Sequence, residues 1–255
     1  MNYIDKLASS LIKGPISIIQ FNNILSNSNR FFDNLDLEKE LLISNGFPLY
    51  INEKMAYLKT STNLIQDQVF CIVDIETTAE DPDKGQLIEI GAIKYKNGVI
   101  LDQYHSLVNA HTIPLKIEEL TGINSTMLEN APNIQTVLEE FKIFLEDDLF
   151  VAHNVKFDYN FLSKSFEKYN LGKLYNRKLC TIELAKRSFY AKRYGLDYLK
   201  EFLNINQPVQ HRAFEDAEST ITILEKSLKN LPKEFTTENL IDFSINADIK
   251  ENNEL

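Results

Sequence analysis

Apolar positions recur with a helical period at the start of the chain, with a strand period through its middle, and with a helical period again towards its end. Ile4, Leu7, Leu11 and Ile12 share one face of a short helix, Pro15 breaks it, and a second stripe runs from Ile18 to Leu25. Residues 36–44 make a third, closed by Gly46 and Pro48, and the alternation in PLYINEKMAYLKT predicts a hairpin. From Gln68 the pattern turns to strands. Phe70, Cys71, Ile72 and Val73 form a continuous apolar run, the mark of a central strand covered on both faces. LIEIGAIKY and VILDQYHSLV then flank Asn97 and Gly98, a pair that closes tight hairpins because both residues accept positive φ.

Helical stripes return over 115–120, 132–145 and 157–169, with the short apolar strand LFVAH at 149–153 between the last two. Residues 179–188 and 196–203 supply further helices, or a short strand with a helix. Phe214, Ala217, Ile221, Leu224 and Leu228 then predict a long helix over 213–229, which Pro232 ends. Three antiparallel strands followed by alternating helix and strand imply an α/β layered fold.

The chain thus divides into a small N-terminal module (1–67), a central domain (68–231) and an acidic tail (232–255). Helices followed by a hairpin are the order of a winged helix. Six basic and seven acidic residues in 1–67 make a poor DNA-reading wing, however, and favour a packing or partner-binding appendage. The tail, with two basic and six acidic residues, is expected to be flexible or kept for a protein partner. No apolar run approaches the roughly 20 residues that span a bilayer, and the first residues lead into no signal-peptide core, so a cytoplasmic protein with no membrane partner is expected. Cys71 and Cys180 lack metal-type spacing and are expected as reduced thiols.

A net charge of -10 excludes a protein that coats nucleic acid non-specifically, since phosphate binding needs positive charge. The distribution changes the picture. Between Lys156 and Arg193 lie ten basic residues against three acidic ones, a segment at +7 inside an acidic chain. A charge run alone is usually a solvated helical face. Its proximity to Asp158 favours a surface that guides a polyanion.

The central strand ends in two carboxylates, Asp74 and Glu76, which are two residues apart and so project from one face. Ionised groups at the end of a buried strand cost several kcal/mol unless cations neutralise them. No Lys or Arg occurs between Lys59 and Lys84, which points to metal. Two more acids sit near helix starts: Asp158 in AHNVKFDYNFL and Asp216 in HRAFEDAEST. Taken singly, each is a helix N-terminal acid favoured by the macrodipole, and His211 is a capping or surface histidine. Taken together, four carboxylates suit two hard cations, and two ions about 3.5 to 4 Å apart clamp an in-line phosphoryl displacement. His211 is placed to take a proton from the attacking water, and Ala213 is small enough for close packing of a strand or substrate.

Residues 68–231 resemble the DnaQ-like exonucleases of the DEDDh type, such as the proofreading epsilon subunit of bacterial DNA polymerase III. The resemblance rests on three motifs in order: Asp74 and Glu76; His153, Asn154, Phe157 and Asp158; and His211, Ala213 and Asp216. It implies an RNase H-like mixed sheet of an antiparallel trio plus parallel strands, flanked by helices. The activity it implies is a 3′→5′ exonuclease that uses two Mg²⁺ or Mn²⁺ ions and releases nucleoside monophosphates from a single-stranded or frayed 3′ end of DNA. On this resemblance Asp74, Glu76 and Asp216 hold the ion that activates water, Asp74 bridges to a second ion with Asp158, and His211 is the general base. Thr77, Thr121, Gly122, Ile123, Asn154 and Phe157 are the implied substrate contacts, with Tyr159 as a further aromatic candidate. Ala79 departs from the family's usual Gly. A polymerase subunit is the implied partner. An RNA-trimming enzyme of the same fold and a non-catalytic adaptor stay open.

Overall fold

The computed structural model of the protein describes residues 3–27, 33–206 and 211–251. The N-terminal elements follow as α1 (Tyr3–Ile12), β1 (Ile16–Ser17), α2 (Ile18–Ser26), α3 (Leu35–Ser44), β2 (Leu49–Ile51) and β3 (Met55–Leu58), and the strands pair in the order β1-β3-β2. Side-chain caps set the starts of α2 and α3. Ser17 and Gln20 form a reciprocal capping box on α2, and Asn34 caps α3. Leu7, Leu11, Phe21, Leu25, Leu42 and Leu58 close a core of this module's own.

A short helix, α4 (Lys59–Thr62), leads to the central sheet of β4 (Phe70–Thr77), β5 (Leu87–Lys96), β6 (Val99–Leu107), β7 (Leu149–Ala152) and β8 (Lys178–Cys180). Its order is β6-β5-β4-β7-β8. The pairs on the β5 side are antiparallel and those on the β7 side parallel, the mixed sheet of an RNase H-like fold. Alternation along β4 splits the core in two. Cys71, Val73 and Ile75 face α7 (Ile134–Leu145) and α8 (Val155–Lys168), whereas Phe70 and Ile72 face α9 (Thr181–Ser188) and α11 (Ala213–Leu228). Asp74 and Glu76 continue the second face. Between β6 and α7 lie α5 (Leu115–Thr121) and α6 (Ser125–Leu128), and α10 (Leu196–Phe202) precedes α11. Cys71 and Cys180 are free thiols.

The expected loose tail is corrected over most of its length. Residues 237–246 form α12 (Thr237–Asn246), which opens on a capping box between Thr236 and Asn239 and buries Leu240 and Ile241 in the α11-side core. Glu238 accepts two hydrogen bonds at 2.7 Å from Arg177 and one at 2.6 Å from Thr60 in α4. Six acidic residues mask this apolar stripe in the composition; the residues beyond 251 lie outside the described ones. The N-terminal module is fastened nearby through backbone and side-chain atoms of Asn45, which meet Tyr175 and Lys142 at 2.7 and 2.9 Å.

Candidate active site

Two features of β5 bring α11 onto the sheet. Gly91 stands directly opposite Asp74, and a Cβ there would lie 2.4 Å from the Phe214 nitrogen, so the backbone of α11 rests on the strand with no side chain between. Ala213, fully buried, is the residue that makes this approach from the helix side. Two residues along β5, Glu89 is wholly buried and holds the entry to α11. It accepts hydrogen bonds from Arg212 Nη2 at 2.6 Å and from the Ala213 N–H at 3.0 Å, and pairs with His105 at 2.7 Å. Burial alone would raise its pKa; these partners override burial and bring it down to about 2.

Held in this way, Asp216 on α11 joins Asp74 and Glu76, with a carboxylate oxygen from each within 4.8 Å of the others. Asp158, in the first turn of α8, stands outside that trio but close enough for its charge to act on Asp74 and Glu76. It is buried, and it accepts a hydrogen bond from the Ile75 N–H, between the two strand acids. A register shift between Glu76 and Thr77 ends the regular ladder there, a common device beside a site. The electrostatics follow from the crowding. Asp74 is pushed well above its usual range, first by loss of water and then by the charges of Asp158, Glu76 and Asp216. Glu76 and Asp158 are both raised to about 8, each chiefly by burial. Oxygen donors that destabilise one another's charge are the donor set of a hard divalent cation.

No Lys or Arg lies near the strand acids in sequence, and the cation that meets the cluster comes from far along the chain. Lys200, buried on α10, hydrogen-bonds Asp216 and partly offsets the charge at Asp74. Lys200, with Arg212 acting on Glu76, offsets only part of the charge of four carboxylates and leaves an excess that a divalent ion would meet. His211, about one-third exposed, lies at the entry to α11 with φ of 54° and its Nε2 4.0 Å from Asp197.

The other sequence-predicted residues take different positions. Asn154 is exposed with φ of 81° at the start of α8, and Phe157 is half-buried one turn on. Thr77 donates to the Ala79 carbonyl at 2.9 Å, fixing the loop after β4. Thr121 and Ile123 are buried. The Thr121 hydroxyl donates to Ile117 and accepts from the Ile123 N–H, leaving Gly122 as the exposed member of the turn. Tyr159 also faces inwards, its hydroxyl on the Leu174 carbonyl at 2.8 Å. His153 lies between Thr181 and the Tyr194 carbonyl, 2.9 Å from each, which fixes Nε2–H as donor. Burial lowers its pKa to about 4, so it is a neutral tie between β7, α9 and the approach to α10.

The geometry agrees with the comparisons to known proteins. Residues 71–224 match the family model RNase_T, described as exonuclease. The chain belongs to this exonuclease family. Over 176 residues it is 36% identical to the DNA polymerase III subunit epsilon of Aquifex aeolicus, a match covering 68% of this chain and 87% of that one. Over 169 residues, 66% of the chain, it is 40% identical to the PolC-type DNA polymerase III of Thermotoga maritima, of which it spans only 12%. Among solved structures it is similar to exonuclease X in complex with 5′ overhanging duplex DNA, with a TM-score of 0.56 and 23% identity over 69% of this chain and 99% of that one. It is also similar to E. coli exonuclease I in complex with a dA16 oligonucleotide, with a TM-score of 0.56 and 16% identity over 69% of this chain and 42% of that one. These two likenesses show the fold. The RNase H-like sheet carries Asp74 and Glu76 at the end of β4, and Asp158 and Asp216 come from the first turns of α8 and α11. No helix among the described residues is long and apolar enough to cross a membrane.

Glu89, Gly91 and Lys200 belong to none of the three motifs. The first two left a signal: a carboxylate and a glycine inside the apolar run LIEIGAI have no reason to be there unless something polar and a close backbone approach await them. Lys200 left none, because a lysine that turns inwards from a short helix reads like one that faces water.

Proposed function

We propose that this protein is a divalent-metal-dependent 3′→5′ exonuclease that releases nucleoside monophosphates from DNA, in proofreading or repair. The observation that carries the reading is the convergence of Asp74, Glu76 and Asp216 from a strand and a remote helix, with Asp158 hydrogen-bonded between the strand acids. Asp74, Glu76 and Asp216 would hold one ion, and Asp74 with Asp158 a second. Bound there, Mg²⁺ or Mn²⁺ would supply charge neutralisation for the attacking and leaving oxygens of an in-line displacement. His211 takes the proton of the attacking water, from a position whose exposure lets that proton pass to solvent. Phe157, Asn154 and the exposed Gly122 are the candidates to seat the terminal nucleotide, and Thr77 holds the loop beside it.

Likeness to an epsilon subunit supports a DNA polymerase subunit as partner, and the DNA in the two similar structures supports DNA as substrate. The test uses matched DNA and RNA oligonucleotides labelled at the 5′ end, with and without Mg²⁺. A ladder shortening from the 3′ end of DNA, dependent on Mg²⁺, is expected. Removal from the 5′ end, or hydrolysis indifferent to chelation, overturns the reading; preference for the RNA strand moves it to an RNA-trimming enzyme. His211→Ala should slow the chemical step and reshape its pH profile.

A further inference from the structure

The backbone of His211, at φ of 54°, lies in the left-handed region, where a residue other than glycine stays only when its surroundings hold it. Its Nε2 is 4.0 Å from Asp197, too far for a hydrogen bond, so that pair does not fix the ring. The next residue supplies an anchor. Arg212 sets Nε 3.0 and 3.1 Å from the two Glu89 oxygens and Nη2 2.6 Å from Oε1. Its carbonyl accepts the Asp216 N–H at 2.9 Å, the opening bond of α11. Residue 212 is thereby held at both ends, by the sheet through Glu89 and by the helix through Asp216. Glu89 is a firm point: it has no exposed surface, and it also takes the Ala213 N–H and pairs with His105. A guanidinium meets a carboxylate as a planar fork, so the side chain of Arg212 is oriented as well as attached.

We propose that Arg212 is the positioning residue of His211: its fork on Glu89 fixes the turn into α11 in the conformation that keeps the imidazole where it can meet the attacking water. The proposal rests on the reading of His211 as general base and adds what holds it there. Glu89 secures α11 through the Ala213 N–H; the guanidinium extends that hold back to the base. The pair is neutral as a whole. Glu89 and Arg212 act on Glu76 in opposite directions, so removing both leaves the charge at the acid cluster nearly as it was. That makes the positioning role separable from the metal site.

The experiment uses the double variant Arg212→Met with Glu89→Gln. Losing one charge of a mostly buried pair strands the other, whereas losing both is close to neutral, and an amide at position 89 still accepts the Ala213 N–H, so α11 keeps its place. Three quantities are measured: single-turnover hydrolysis of a 5′-labelled dT12 strand in Mg²⁺, Mn²⁺ affinity by titration calorimetry, and the imidazole ¹H–¹³C signals of the four histidines in EDTA. The rate should fall about a hundredfold, the cost of moving a reacting group by about an ångström. Mn²⁺ affinity should stay at its wild-type value, and the His211 signal should shift while those of His111 and His153 stay. Adding His211→Ala to the double variant should lower the rate no further, because both changes remove the same base. An undiminished rate, a His211 signal at its wild-type position, or a further loss on adding His211→Ala overturns the proposal. Weaker Mn²⁺ binding also overturns it and assigns the fork to Asp216 instead. Wild-type protein that leaves the strand intact sinks the exonuclease reading, and the His211 signal then decides by itself whether Arg212 places the imidazole.

Discussion

Glu76 and Glu89 are cross-strand neighbours on β4 and β5, and the fold treats them oppositely. Glu76 is raised to about 8 by burial and by Glu89, Asp216 and Asp158, which outweigh Arg212, whereas Glu89, with no exposed surface, falls to about 2 because His105, Arg212 and the Ala213 N–H bond it directly. A carboxylate given its own donors is part of the frame. Carboxylates given mainly one another lower the stability of the chain and wait for a cation from solution. Burial therefore does not separate a structural acid from a functional one; the supply of partners does.

The largest effect that would sharpen this contrast is on turnover. Asp74→Asn should lower hydrolysis of a DNA strand at least about a thousandfold, the scale of removing one preorganised group from a site. The same change should raise the thermal midpoint of the metal-free protein, because it relieves repulsion. Turnover near wild type would break the assignment. Glu89→Gln should do the reverse in stability, costing about 3 kcal/mol in urea unfolding, since it leaves Arg212 without its counter-charge. A neutral result would show that Glu89 does not clamp α11.

A smaller effect is expected from pH. Glu76 and Asp158 keep their protons when folded up to about pH 8, against ordinary values of 4.5 and 3.8, so between those limits the native state holds more protons than the unfolded one. Stability of the metal-free protein should fall as pH rises from 5 to 8. Glu89 contributes the opposite slope only below about pH 4.5, outside that window. Mg²⁺ should reverse the trend, adding more to the thermal midpoint at pH 8 than at pH 5, and scanning calorimetry at both values reads it. The smallest change concerns Lys200. Lys200→Met should tighten Mn²⁺ binding on the order of tenfold in titration calorimetry, because the ammonium repels an incoming cation; weaker binding would make Lys200 a support for Asp216 instead.

Much of this was legible in the sequence. The apolar run of β4, the Asn97-Gly98 turn and the stripe of α11 each follow from a period that packing respects, and the four acids were found because each stands at the edge of such an element. What stayed hidden depends on partners far along the chain. Lys200 meets Asp216 only because α10 and α11 pack together, and α12 buries an apolar stripe too short to stand out among acidic residues. Thr121 and Ile123 face inwards because a left-handed Gly122 turns the chain between them, which a motif read as letters does not convey.

Since Glu238 is tied to both Arg177 and Thr60, α12 works as a strap that joins the central sheet to the segment preceding β4. A clone trimmed to residues 71–224 would shed that strap together with Phe70, baring the α11-side core and stranding a guanidinium. Such a fragment should precipitate on expression, whereas one that runs on past residue 246 keeps its cover.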